Sequence, residues 1–155
     1  MLRISKLADY GTVVMVYLAK QPDKLCNARE IALNTHLNIP TVSKLLKKLT
    51  LAKLLDSVRG VAGGYRLQRQ PSMITLKDLI YAFDDSRGLT ECSLQPHHCS
   101  LQSVCQIQGN WQLISNAIEA ALASVSLEAL AMPNIPIINL DGIKQLAVGV
   151  SSVKK

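Results

Sequence analysis

The order of local signals between residues 28 and 69 constrains this chain more than any other feature. Residues 28–37 put Ile31, Ala32 and Leu37 on an apolar face, with Arg29, Glu30 and Asn34 in polar positions, the pattern of a short amphipathic helix. A break at Asn38-Ile39 follows. Pro40 then suits the first turn of a second helix, where its missing N–H costs nothing. In that helix Val42, Leu45, Leu46 and Leu49 form a stripe predicted to be buried, leaving Thr41, Ser43, Lys44, Lys47 and Lys48 on or beside the opposite face. Two short helices joined by a tight turn make a helix-turn-helix pattern. Hydroxyls near the start of the second helix can bond base edges, and ammonium groups can bond phosphates or guanine.

The segment that follows sharpens the reading. Residues 54–59 and 65–69 read as short strands, and Gly60-Val61-Ala62-Gly63-Gly64 lies between them. Glycines there call for unusual backbone angles or close approach to another surface. Arg59, Arg66 and Arg69 flank the turn. A basic hairpin directly after a helix-turn-helix is the wing of a winged helix, which meets the DNA backbone or the adjacent minor groove, where Arg is favoured. The glycines sit between strands, not between a strand and a helix, so they are no phosphate cradle.

Charge agrees with this placement. Residues 1–70 hold twelve Lys/Arg against four Asp/Glu, a net of +8, whereas residues 71–155 hold five against seven, a net of −2. A basic first half beside a mildly acidic second half is expected of a polyanion-binding module joined to something else. Aromatics are only 4% of the chain, too few for a base-stacking single-strand platform. No nucleotide-binding glycine loop, paired catalytic carboxylates or nucleophile–base set is evident, so an enzyme is not expected.

The N-terminus imitates a secretory signal, with Arg3 and Lys6 ahead of the apolar stretch 10–19. Asp9 at its edge, its shortness and the lack of a small-residue cleavage site argue for a first core helix instead. Leu7, Val14 and Leu18, and Tyr10, Val13 and Tyr17, recur at helical spacing. No run of about 20 apolar residues predicts a membrane span. The chain is therefore expected in the cytoplasm, where structural disulfides are disfavoured and metal or redox chemistry of the four cysteines gains weight.

Residues 74–83 read as a helix capped by Thr75, and 84–88 break it. Cys92, Cys99 and Cys105 then fall in a C-x6-C-x5-C pattern among Ser, Gln, Pro and His. Such loop-like neighbours explain burial as small hydrophobes poorly. Zinc prefers closer Cys pairs with a fourth Cys or His, which His97 or His98 could supply. An iron–sulfur cluster accepts thiolates on a preorganised loop, with a His or carboxylate in place of one. The spacing ranks cluster over zinc over inert thiols. Cys26 stands apart and reads as structural. After Gly109, Trp111, Ile114, Ile118, Leu122 and Val125 are spaced 3, 4, 4 and 3, a seam for a long helix that packs on its own domain or on a second subunit. Pro133 and Pro136 end this region.

Together, residues 1–6 with Asp9-Tyr10, the wing at 57–65 and the three-cysteine segment resemble the iron–sulfur winged-helix regulators of the IscR/NsrR type. The likeness covers residues 1–132. It is greatest to the gammaproteobacterial branch controlling SUF iron–sulfur assembly, through residues 89–92, 110–112 and 125–127. The resemblance implies a homodimeric bacterial transcription factor whose partner is a double-stranded DNA operator. It implies a cluster, 2Fe–2S with 4Fe–4S as the alternative, on Cys92, Cys99 and Cys105. It also implies DNA contacts from the helix at 40–50 and from Arg59. IscR-like members place a His three residues after the last Cys, where this chain has Gln108. NsrR-like members use a carboxylate near the N-terminus, where Asp9 stands. Asp9 is thus the expected fourth ligand, with His97 or His98 behind it.

The expected fold is mainly α with a small β wing, a winged helix-turn-helix DNA-binding domain plus a long dimerisation helix. It divides into a DNA-binding domain at 1–83 (wing about 56–69), a cysteine-rich cluster loop at 84–108, a dimerisation helix at 109–132 and a tail at 133–155 with no assigned role. The expected function is a cluster-sensing regulator of iron–sulfur assembly genes. The competing readings are a nitric-oxide- or redox-sensing regulator of the same fold, and an iron–sulfur carrier or electron-transfer protein.

Overall fold

The computed structural model describes residues 4–84, 89–90 and 104–133. Helix α1 (Lys6–Ala19) begins where the Ser5 side chain accepts the Ala8 N–H at 3.2 Å, filling one of the donors a helix start leaves unpaired. Ala8, Gly11, Val14, Met15 and Leu18 are its buried face, and four of the helices that follow pack against it. Helix α2 (Ala28–Thr35) is capped by Asn27. It ends at His36 in the left-handed conformation (φ 55°), which turns the chain sharply into α3. Helix α3 (Ile39–Leu51) is capped by Asn38, whose side chain accepts the Thr41 N–H at 2.8 Å, with Pro40 in the first turn. It buries Val42, Leu45, Leu46 and Leu49, the stripe its period predicts.

Strands β1 (Leu55–Val58) and β2 (Gly64–Leu67) form an antiparallel hairpin, with Leu55 opposite Leu67 and Val58 opposite Gly64. Leu55 and Leu67 fasten its base to the core, while its far end is exposed. A 3₁₀ turn (Pro71–Met73) leads to α4 (Leu76–Tyr81), whose start is a capping box. Asp78 N donates to Thr75 Oγ1 at 3.2 Å and Thr75 N to Asp78 Oδ2 at 3.1 Å. Helix α4 is shorter than the expected 74–83.

The second half departs from expectation at one point. The helix expected to run from 109 to 132 is two helices, α5 (Gln108–Ala123) and α6 (Leu127–Ala131). Ser126 breaks it: its side chain accepts the Ala129 N–H at 3.1 Å, capping a new helix. Around it Leu76 N donates to Val125 O at 2.8 Å and Leu127 N to Ile74 O at 2.7 Å, a one-residue antiparallel pairing of Thr75 with Ser126. Leu127 is fully buried and α6 packs on α1. Residues 127–131 therefore complete the core around α1. Burying a Leu contributes about 1.5–3 kcal/mol.

Leu127→Ala should leave a cavity beside α1 and cost about 2–5 kcal/mol, read from the urea midpoint at constant denaturant slope. A loss below about 0.5 kcal/mol would place α6 outside the core.

Candidate nucleic-acid interface and metal-ligating residues

Helix α3 presents the helix-turn-helix residues unequally. Ser43, Lys44 and Lys47 are exposed, whereas Thr41 and Lys48 are half-buried. Arg59 is exposed and follows β1 directly into the turn at Gly60. Among the described residues Lys44, Lys47 and Arg59 lie within salt-bridge distance of no carboxylate, while Lys24, Arg66, Arg69 and Lys77 each face one. Lys44 and Lys47 on α3 and Arg59 at the hairpin are thus exposed cations with no carboxylate beside them. That arrangement favours a polyanion, since each phosphate contact releases a counterion. The half-exposed Arg66–Asp56 pair, at 3.9 Å across the hairpin, adds little stability of its own.

Two glycines build the wing. Gly60 has φ +117°, a region that L side chains rarely adopt, and its carbonyl accepts Gly63 N–H at 3.0 Å to close the turn. Gly64 lies against Cys26: a Cβ there would fall 2.8 Å from the Cys26 carbonyl oxygen. Bare backbone lets Tyr65 and Cys26 exchange hydrogen bonds of 2.9 and 3.0 Å, which adds a one-residue third strand and anchors the wing to the chain before α2. Sequence patterning misses this bridge because one residue carries no strand period.

Cys26 is buried, and burial pushes its thiol pKa up. It stays protonated and is a poor ligand, because the thiolate is the metal-binding form. Nearby, Glu30 accepts from Tyr17 Oη at 3.2 Å and pairs with Lys24. The Lys24 ammonium holds the Glu30 carboxyl below its usual range, keeping the α1–α2 connection ionised and tied down. Helical spacing places Tyr17 only on the apolar side of α1 and gives Lys24 no role, since their shared partner Glu30 lies in α2.

Of the expected metal ligands, Cys92 and Cys99 lie outside the described residues, as do His97 and His98. Asp9 is exposed in the first turn of α1, and Cys105 is half-buried just ahead of α5, which opens on Gln108. Among the described residues no group of three metal-ligating side chains converges. As chemistry, three thiols and a carboxylate are a donor set suited to an iron–sulfur cluster.

Comparison with known proteins places this architecture. The profile of the Rrf2 family, described as iron-dependent transcriptional regulators, matches residues 4–133. The chain belongs to the Rrf2 family. Among Rrf2 relatives, the NsrR regulator of Bacillus licheniformis is 26% identical over 147 residues, spanning 94% of this chain and 99% of that one. The IscR regulator of Photorhabdus laumondii is 32% identical over 94 residues, 61% of this chain and 57% of that one. The solved structure of CymR, the global cysteine regulator of B. subtilis, superposes with a TM-score of 0.66 at 30% identity. The match covers 84% of this chain and 97% of CymR. The mainly helical winged-helix fold is therefore that of an Rrf2 regulator, and the protein is a DNA-binding transcriptional regulator, not an enzyme. Among the described residues no helix is long and apolar enough to cross a membrane.

In the cluster-free native protein, iodoacetamide should alkylate Cys105 well before Cys26, with Cys26 reacting only after denaturant is added. Peptide mass spectrometry reads the order; equal native rates would show that Cys26 is not shielded.

Proposed function

We propose that this Rrf2 regulator senses iron–sulfur status through a centre held by Cys92, Cys99, Cys105 and Asp9, and that its occupancy sets operator affinity at iron–sulfur assembly (SUF) genes. The observation that carries the reading is where the cysteine segment is anchored. It follows Phe83, which is buried against α1, and ends at the half-buried Cys105 just ahead of α5. Helix α5 is fastened to α4 by Lys77 Nζ–Glu119 Oε2 at 2.7 Å, and α6 returns the chain to α1. Gathering three thiols of this segment with Asp9 of α1 therefore acts directly on the body that carries α3. A bound 2Fe–2S centre, or 4Fe–4S as the alternative, supplies the iron- and redox-sensitive chemistry.

Thr41, Ser43, Lys44 and Lys47 are the proposed contacts to the major groove and Arg59 the contact at the wing. Lys48 stands apart because its ammonium is already engaged. Helix α5 leaves Trp111, Leu113 and Ile114 substantially exposed. These belong to the face proposed to meet a second copy, giving a homodimer whose two-fold symmetry matches a palindromic operator. A switch needs only that the centre favour one arrangement: a coupling of about 1–3 kcal/mol changes affinity roughly 5- to 150-fold. The likeness to CymR favours a second reading, in which the same fold responds to the supply of cysteine without a metal centre. Nitric-oxide or redox sensing is a variant of the first reading, resting on the same ligands.

Anaerobically purified protein should carry iron and sulfide, and Asp9→Ala should alter its visible and Mössbauer spectra. Holo and apo forms should differ at least 5-fold in operator affinity at one fixed salt concentration. Absence of iron and sulfide favours the cysteine-supply reading; equal affinities remove the switch.

A further inference from the structure

Lys48 looks from the sequence like one more phosphate-binding lysine, but its geometry differs from that of its neighbours. Lys44 and Lys47 are exposed, whereas Lys48 is half-buried and its Nζ reaches the Phe83 carbonyl oxygen at 3.4 Å. That carbonyl lies just past the end of α4, where chain oxygens lack helical partners. The Phe83 ring is itself fixed. It is only 6% exposed, and a Cβ on Gly11 would fall 2.1 Å from its Cε2, so the ring occupies the space that a side chain on α1 would take. The stem of Lys48 lines the same cleft as Tyr81 and Ala82 of the α4 end. Among the described residues Lys48 has no carboxylate partner.

We propose that Lys48 is a positioning residue: it ties the C-terminal half of the recognition helix to the Phe83 carbonyl, on a platform made by seating Phe83 against Gly11, and it does not contact DNA phosphate. The lysine thereby fixes how α3 is held relative to α1 and α4, and so how Ser43, Lys44 and Lys47 meet the groove. An ammonium held at the Phe83 carbonyl and away from the phosphates releases no counterion from DNA. The proposal rests on α3 being the recognition helix and needs no metal centre.

The two roles differ in their dependence on salt. Removing a phosphate contact flattens the log–log salt slope by about 1 and weakens binding to all sequences alike. Removing a positioning contact weakens specific binding at unchanged slope. The probe is a duplex selected from a random-sequence pool by the anaerobically purified wild-type protein, with a scrambled duplex as control. Lys47→Met should flatten the slope by about 1 on both duplexes. Lys48→Met should weaken binding to the selected duplex 3- to 10-fold at unchanged slope and leave the scrambled duplex unaffected, with an unchanged melting curve. Gly11→Ala, which displaces the Phe83 ring, should reproduce this loss, and adding Lys48→Met to it should cost little more. A Lys48→Met slope that flattens like that of Lys47→Met, or an unaltered affinity for the selected duplex, overturns the proposal. If Lys44→Met and Lys47→Met both leave the slope intact, the recognition-helix assignment fails instead.

Discussion

The pairing of Thr75 with Ser126 holds this structure together. Two short hydrogen bonds, Leu76 N–H to the Val125 carbonyl and Leu127 N–H to the Ile74 carbonyl, join segments far apart in sequence. They lie beside Ile74 and Leu127, both fully buried, where such bonds are electrostatically stronger than in water and costly to leave unmade. Each paired residue also caps a helix, Thr75 for α4 and Ser126 for α6. One contact therefore sets the start of two helices, and it refers the long excursion through the cysteine segment and α5 back to α1. It fixes where α6 starts along α1, while the Lys77–Glu119 pair separately holds α5 to α4.

The parts legible in the sequence are those governed by local rules. The stripe of α3, the Asn38 turn with Pro40, and the glycine-bearing hairpin follow from period, capping and backbone freedom. Spacing hides the break at Ser124–Ser126 because Val125 continues the apolar repeat of Trp111, Ile114, Ile118 and Leu122. Only the cap signature, Ser126 with Glu128 in the next turn, competes with that spacing. Val125 is buried as the seam predicts, but it lies past the end of α5, where its carbonyl accepts from Leu76 N–H.

The site was legible by residue type more than by placement. Lysine spacing on a helix predicts a charged face, yet Lys48 turns to an oxygen 35 positions away in sequence, a partner no local pattern reveals. The isolation of Cys26 from the other cysteines marks it as structural, and its burial and raised pKa agree with that. The Asp9 carboxylate is exposed on α1, accessible but without partner donors that would mark it as a ligand among the described residues.

The closure at Thr75 and Ser126 also bears on how such a chain tolerates change in length. Because the excursion starts and finishes at one hydrogen-bonded pair, residues added within it enlarge a loop that is already closed. The entropic penalty rises only logarithmically, about 0.6 kcal/mol for each doubling. The DNA-reading body, whose own connections are short, is thus insulated from insertions and deletions between α4 and α5, and the two stretches can diverge at different rates while sharing one scaffold.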